Sequence, residues 1–138
     1  MKAFLMCLAM GIFMPEDQDP LSSYRWKNRI ILVVEDARAK AEEQHDLFSD
    51  QRAELDDRDL LIISISDKRV LLNGRESALS SQDVSDRYDL ASDEFAILLI
   101  GKDGGVKYRS SEITKPLQIY GLIDQMPMRR AEMRSGGN

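Results

Sequence analysis

Three short apolar runs limit what this chain can become: "IILVV" (Ile30 to Val34), "LLIISIS" (Leu60 to Ser66) and "FAILLI" (Phe95 to Ile100). A strand that is apolar at nearly every position has no solvent face, so each run predicts a strand covered on both sides. Between the first two, Ala37 to Leu55 is predicted as one helix. Ala37, Ala41, Phe48 and Leu55 fall on one stripe at helical spacing, Gln44 and Gln51 complete it, and most of the remainder is charged. Two buried strands joined by a long helix need a parallel crossover.

The other elements follow from turn and cap residues. Asp19-Pro20 and Ser22-Ser23 form an opening turn, and Asn73-Gly74 predicts a small hairpin within residues 67–79. Ser81 to Tyr88 is predicted as a helix with Ser80 or Ser81 as N-cap. "VKYR" (Val106 to Arg109) alternates as a short strand. Pro116 to Asp124 is predicted as a helix with Thr114 as candidate cap and Leu117, Tyr120 and Ile123 on one face. Residues 135–138, the end of "RSGGN", are expected to form a disordered tail. The order is strand, helix, strand, helix, strand, strand, helix. That is an α/β arrangement with a mixed central sheet flanked by helices, the thioredoxin-like (peroxiredoxin-like) layout, in a single domain over residues 20–134.

"GKDGG" (Gly101 to Gly105) has the ingredients of a phosphate-binding loop. Such a loop must open a helix whose N-terminus faces the anion. Here a strand follows, and no Ser or Thr comes after Lys102. Gly104 and Gly105 are therefore predicted to turn a hairpin.

The net charge of −5 excludes a general nucleic-acid binder, which needs a basic face. The first residues differ in composition from all that follow. Met1-Lys2 precedes twelve uncharged residues, Ala3 to Met14, and then the polar "PEDQDP". One positive charge, a short apolar run and the small-x-small Ala9-Met10-Gly11 describe a secretory signal over residues 1–14. Cys7 is the only cysteine and lies within it, so a processed chain would carry no thiol.

Candidate chemistry outside that segment is sparse. His45 is the only histidine; without further His or Cys nearby it makes a poor metal site, no motif offers it a serine triad, and it is expected to be an exposed helix residue. Asp83, Asp86 and Asp89 lack ion-loop spacing and read as a solvated helix face, and "DDRD" (Asp56 to Asp59) as a solubilising turn. No cofactor and no metal are expected. In "YRWKNR" (Tyr24 to Arg29), Trp26 is expected to pack on the core edge with the bases outside. "MPMRRAEMR" (Met126 to Arg134) concentrates three methionines and three arginines in nine residues. Methionine suits adaptable contacts and arginine is enriched at interfaces. This segment is expected to break at Pro127, close the fold by laying Met126 or Met128 over the sheet edge, and present Arg129 and Arg130 outward as a protein contact.

Together "YRWKNRIILVV", "DRDLLIISI", "FAILLIGKDGGVKYRS" and "IDQMPMRRAEM" resemble one domain-of-unknown-function family of small exported bacterial proteins. Related domains occur in animal sushi-repeat-containing and coiled-coil-domain-containing extracellular matrix proteins. The resemblance covers about Pro20 to Met133 and implies export, a periplasmic or secreted location and a fold similar to thioredoxins and peroxiredoxins. It implies no reaction. Where such a fold carries its redox thiol, just after the first strand, this chain reads "EDARAKAEEQ" (Glu35 to Gln44), and Ser92-Asp93-Glu94 stand where a proline would precede the third strand. Thiol chemistry needs a thiolate. The first reading is therefore a non-catalytic domain that binds another protein or a surface. Two alternatives stay open: an enzyme with a non-thiol site around Glu35 and Asp36, and a redox-linked protein that keeps Cys7.

Overall fold

The computed structural model describes residues 19–35, 39–91 and 93–136. A 3₁₀ turn (Ser22–Tyr24) leads into β1 (Arg29–Val34), followed by α1 (Lys40–Phe48), α2 (Arg52–Asp57), β2 (Leu60–Ile65), β3 (Val70–Leu72) and β4 (Arg75–Glu76). Then come α3 (Ser81–Tyr88), β5 (Ala96–Ile100), β6 (Val106–Ser110), α4 (Pro116–Asp124) and α5 (Pro127–Gly136). The signal segment 1–14 with Cys7, and Asp36, lie outside the described residues.

The strands form one sheet in the order β4-β3-β2-β1-β5-β6. β1 runs parallel to β2, so the crossover required by the apolar runs is present; it runs antiparallel to β5, and β5 pairs antiparallel with β6 in the expected hairpin. All six residues of β1 are buried. Alternation sends Ile31 and Val33 to one face, against Phe48, Ile119, Tyr120 and Ile123. Ile30, Leu32 and Val34 go to the other, against Val84 and Tyr88. Ile31, Leu32 and Val33 are wholly inaccessible, and burying each contributes about 1.5–3 kcal/mol.

Local chemistry explains the turns. Asn73 and Gly74 take φ of 50° and 85°, the pair of positive values that a two-residue hairpin needs. The Asn73 side chain also accepts from the Ile62 N–H at 3.1 Å. Ser80 caps α3 by accepting from the Asp83 N–H at 3.2 Å. "GKDGG" turns the β5–β6 hairpin: Gly104 (φ 86°) donates its N–H to the Gly101 carbonyl at 3.0 Å, and no helix follows. Lys102 is buried and its ammonium is spent on the Asp59 and Glu132 carboxylates.

Several expectations are corrected. Within the described residues, the helix expected over 37–55 is two helices, broken after Phe48: the backbone leaves helical geometry at Gln51 (φ −108°, ψ 22°), and the Ser49 hydroxyl donates to the Asp46 carbonyl at 2.8 Å. Thr114 does not cap α4, whose N-cap is Lys115. The main chain of Thr114 is instead held at both polar groups by buried Gln44, each bond 2.8 Å, tying α1 to the start of α4. In α4, Ile119 rather than Leu117 joins Tyr120 and Ile123 in the core; Leu117, in the first turn beside Pro116, faces solvent at 82% exposure. Of the expected tail, Ser135 and Gly136 continue α5, whose earlier residues Arg129 and Glu132 make part-buried ionic contacts; residues 137–138 lie outside the described residues. Trp26 does not pack into the core edge, and Arg29, expected outside, is 1% exposed.

Candidate functional site

A redox thiol in this layout would sit just past β1. There the Glu35 N–H donates to the Ile65 carbonyl at 2.8 Å, extending the β1–β2 pairing by one residue. No cysteine lies anywhere from Asp19 to Asn138.

Beside this point is a cleft of about 440 Å³ between α1, α2 and the β2–β3–β4 edge. Phe48, Leu55, Leu60, Ile62 and Leu71 supply apolar walls, and Glu35, His45 and Ser64 supply polar ones. Ser64 is the one polar residue of β2. The pleat sends it to the same face as Ile62, toward α1, where His45 lies one turn before Phe48. Ser64 Oγ and His45 Nε2 are 2.9 Å apart. His45 is thus a half-buried partner of a buried serine and not the exposed helix residue expected. A lone serine in an apolar strand, in phase with a helical histidine, was the available sequence clue, but nothing in the sequence fixes how α1 lies on β2. Ser64 sits mid-ladder between Val33 and Leu71, so its main chain is committed to the sheet. An oxyanion hole for acyl transfer would need free N–H donors next to the hydroxyl.

A second hollow, of about 270 Å³, is lined by Arg29, Gly101, Lys102, Met126, Pro127 and Met128, among others. The Trp26 N–H donates to the Lys102 carbonyl at 2.7 Å, so Trp26 stands at its margin. Trp26 has φ 69° and is 60% exposed. A bulky residue held in the left-handed region and pointed into water is costly, and such strain gathers where it serves contact. Met126 is half-buried, while Met128 and Arg130 are exposed. Of the two methionines expected to cover the core, Met126 packs against it and Met128 does not, and one expectation is reversed: Arg129 is not outward.

Arg129 is 5% exposed and belongs to an ionic cluster that fastens α5 to the ends of β1, β2 and β5. It donates to Asp124 at 3.0 Å, to the Asp57 carboxylate at 2.6 Å and to the Asp57 carbonyl at 2.8 Å. Arg58 bridges Asp124 and Glu54 and lies over the Tyr120 ring at 4.3 Å. Arg29 grips both Glu132 oxygens at 3.1 Å, and Lys102 joins Glu132 to Asp59 at 2.8 Å each. "DDRD" is thus an anchor and not merely a solubilising turn. Burial alone would raise the Glu132 carboxyl, but hydrogen bonds from Arg29 and Lys102 outweigh it and hold the group below the usual carboxylate range. Asp124 is likewise pushed up by burial and brought below its usual value by Arg58 and Arg129. Every cation here has an anion, so the cluster closes the fold rather than offering a free charge. Asp83, Asp86 and Asp89 are exposed, as a solvated helix face requires.

The chain belongs to the family described as "Domain of unknown function (DUF4174)", whose model matches residues 20–132. It is 29% identical over 133 residues to coiled-coil domain-containing protein 80 of Danio rerio. That match covers 82% of this chain but only 15% of the relative's length. Among solved structures it is similar to the reduced 2-Cys peroxiredoxin of Plasmodium vivax, with a TM-score of 0.60 over 80% of this chain and 84% of that one. At 14% identity the likeness is one of fold, and the fold is thioredoxin-like. No helix among the described residues is long and apolar enough to cross a membrane.

Proposed function

We propose that this thioredoxin-like domain is a binding module of an exported protein, that it performs no thiol chemistry, and that it engages another protein or a surface. The observation that carries the reading is the absence of cysteine from Asp19 to Asn138, which leaves the redox position of the fold without a nucleophile. Export rests on the apolar run Ala3 to Met14 and its polar boundary. The contact face is the one around the second hollow, where exposed Met128 forms part of the lining and exposed Trp26 is held beside it by its N–H bond to the Lys102 carbonyl. Arg129 leaves the contact set because its donors are spent on Asp57 and Asp124.

The test uses native protein recovered from the exported fraction, its mass and its cross-linked neighbours. The expected result is a chain lacking Met1 to Met14 and cross-links that Trp26→Ala with Met128→Ala removes while the melting temperature stays within about 2 °C, as surface changes usually allow. Retention of Met1, or cross-links indifferent to the double change, would contradict the reading.

A further inference from the structure

We propose that the cleft between α1, α2 and the β2–β4 edge binds a small organic amine, with the ammonium head toward Glu35, His45 and Ser64 and an apolar body over Ile62 and Leu71. The site shares no lining residue with the Trp26–Met128 face and does not depend on that face having a partner.

Of its polar side chains, Glu35 and Asp56 only accept, and His45, Ser49, Ser64 and Asn73 can accept as well as donate. Glu35 is half-buried at the cleft wall, and no cation pairs with its carboxylate among the described residues. A carboxylate taken partly out of water without a counter-charge is stabilised by any cation that reaches it. Ser64 keeps at least one free lone pair whichever way the proton lies in its bond to His45, since a hydroxyl oxygen has two. The only cation on the lining is Arg52, whose side chain is 79% exposed and turned to Asp56 at 4.0 Å. An anionic head would meet Glu35 and Asp56 with little to offset them. An ammonium, with three donors and no acceptor, matches the set.

The rest of the cleft suits a hydrocarbon body. Leu55, Ile62 and Leu71 remain half-buried although they flank the packed core, and Phe48 and Leu60 continue the same wall. A volume of about 440 Å³ lies within the usual range of small-molecule sites, which are mostly apolar with a few converging polar groups. The fold supplies both parts through one device. Alternation along β2 puts Leu60, Ile62 and Ser64 in a row on one face, so the apolar floor ends at a hydroxyl.

The test titrates the full chain with 2-phenylethylamine, phenylacetate and 2-phenylethanol, which share a body and differ in the head, followed by calorimetry and amide NMR shifts. The expected result is saturable binding of the amine with Kd of about 1 mM or tighter, shifts centred on Glu35, His45, Ser64 and Leu71, and phenylacetate weaker by about tenfold or more. Glu35→Gln should weaken the amine about tenfold and leave 2-phenylethanol unchanged. If that variant proves unstable, the three-probe comparison on the unaltered chain decides. Failure of the amine to saturate, phenylacetate binding equally well, or shifts confined to the Trp26–Met128 face would overturn the proposal.

Discussion

Replacing Arg129 with alanine should destabilise the domain more than any single change on the exposed side of α5. The side chain is 5% exposed and makes three hydrogen bonds, two with Asp57 and one with Asp124. A hydrogen bond to a charged partner contributes about 1.5–3 kcal/mol when the partner stays buried. Here the loss is smaller: the Asp57 side chain is 64% exposed and rehydrates, and Asp124 keeps Arg58. With lost packing of the arginine stem, about 2–3 kcal/mol remains. For a chain of 138 residues, that lowers the melting temperature by about 6–10 °C. Met128→Ala, at a position 41% exposed, should change stability by no more than about 1 kcal/mol. Arg129→Met keeps much of the stem contact while losing the ions and should fall between them. Circular-dichroism melts of the three variants decide it. If Met128→Ala melts lower than Arg129→Ala, then α5 is docked by its methionines and the ionic closure described above is wrong.

Glu132 and Asp124 titrate below their unfolded values, so on acidification the unfolded chain takes up protons first; their stabilisation is complete at neutral pH and is lost as pH falls below about 4. Melts between pH 7 and pH 3 should show this loss, and Glu132→Gln should be less stable at pH 7 and flatter in acid; an unchanged acid slope would remove Glu132 from the cluster's energetics. Gly104→Ala should cost about 1 kcal/mol or more, because φ is 86° and the added Cβ meets the Arg25 guanidinium at 2.8 Å; a melt equal to the parent would show that the hairpin relaxes freely. Ser80→Ala should cost about 1 kcal/mol through loss of the α3 cap, measured by urea unfolding, and no change would mean that water replaces the hydroxyl.

The sheet was legible because its information is local. "IILVV" and "FAILLI" are apolar on both parities, which admits little besides doubly covered strands, and Asn73-Gly74 admits little besides a hairpin. The break in the first helix was not, because the stripe from Phe48 to Leu55 keeps helical phase across the Gln51 backbone where the helix breaks. Buried Arg29, Arg58 and Arg129 look like solvent residues in the sequence, since arginine is rarely buried unless paired and key partners here come from segments far apart in sequence. Arg29 meets Glu132, 103 residues away, and Arg129 meets Asp57, 72 residues away. Nothing periodic links such pairs. The Ser64–His45 contact was hidden likewise, since it depends on the rotation of α1 over β2. The lack of cysteine from Asp19 to Asn138, by contrast, is a property of the sequence alone.

The central claim is the proposal that this thioredoxin-like fold serves binding and not redox catalysis. Its most direct test is peroxide consumption by residues 15–138 with dithiothreitol as reductant, corrected for the uncatalysed reaction. The account predicts a rate indistinguishable from that of buffer. Turnover proportional to protein concentration, in a chain without cysteine, would contradict it.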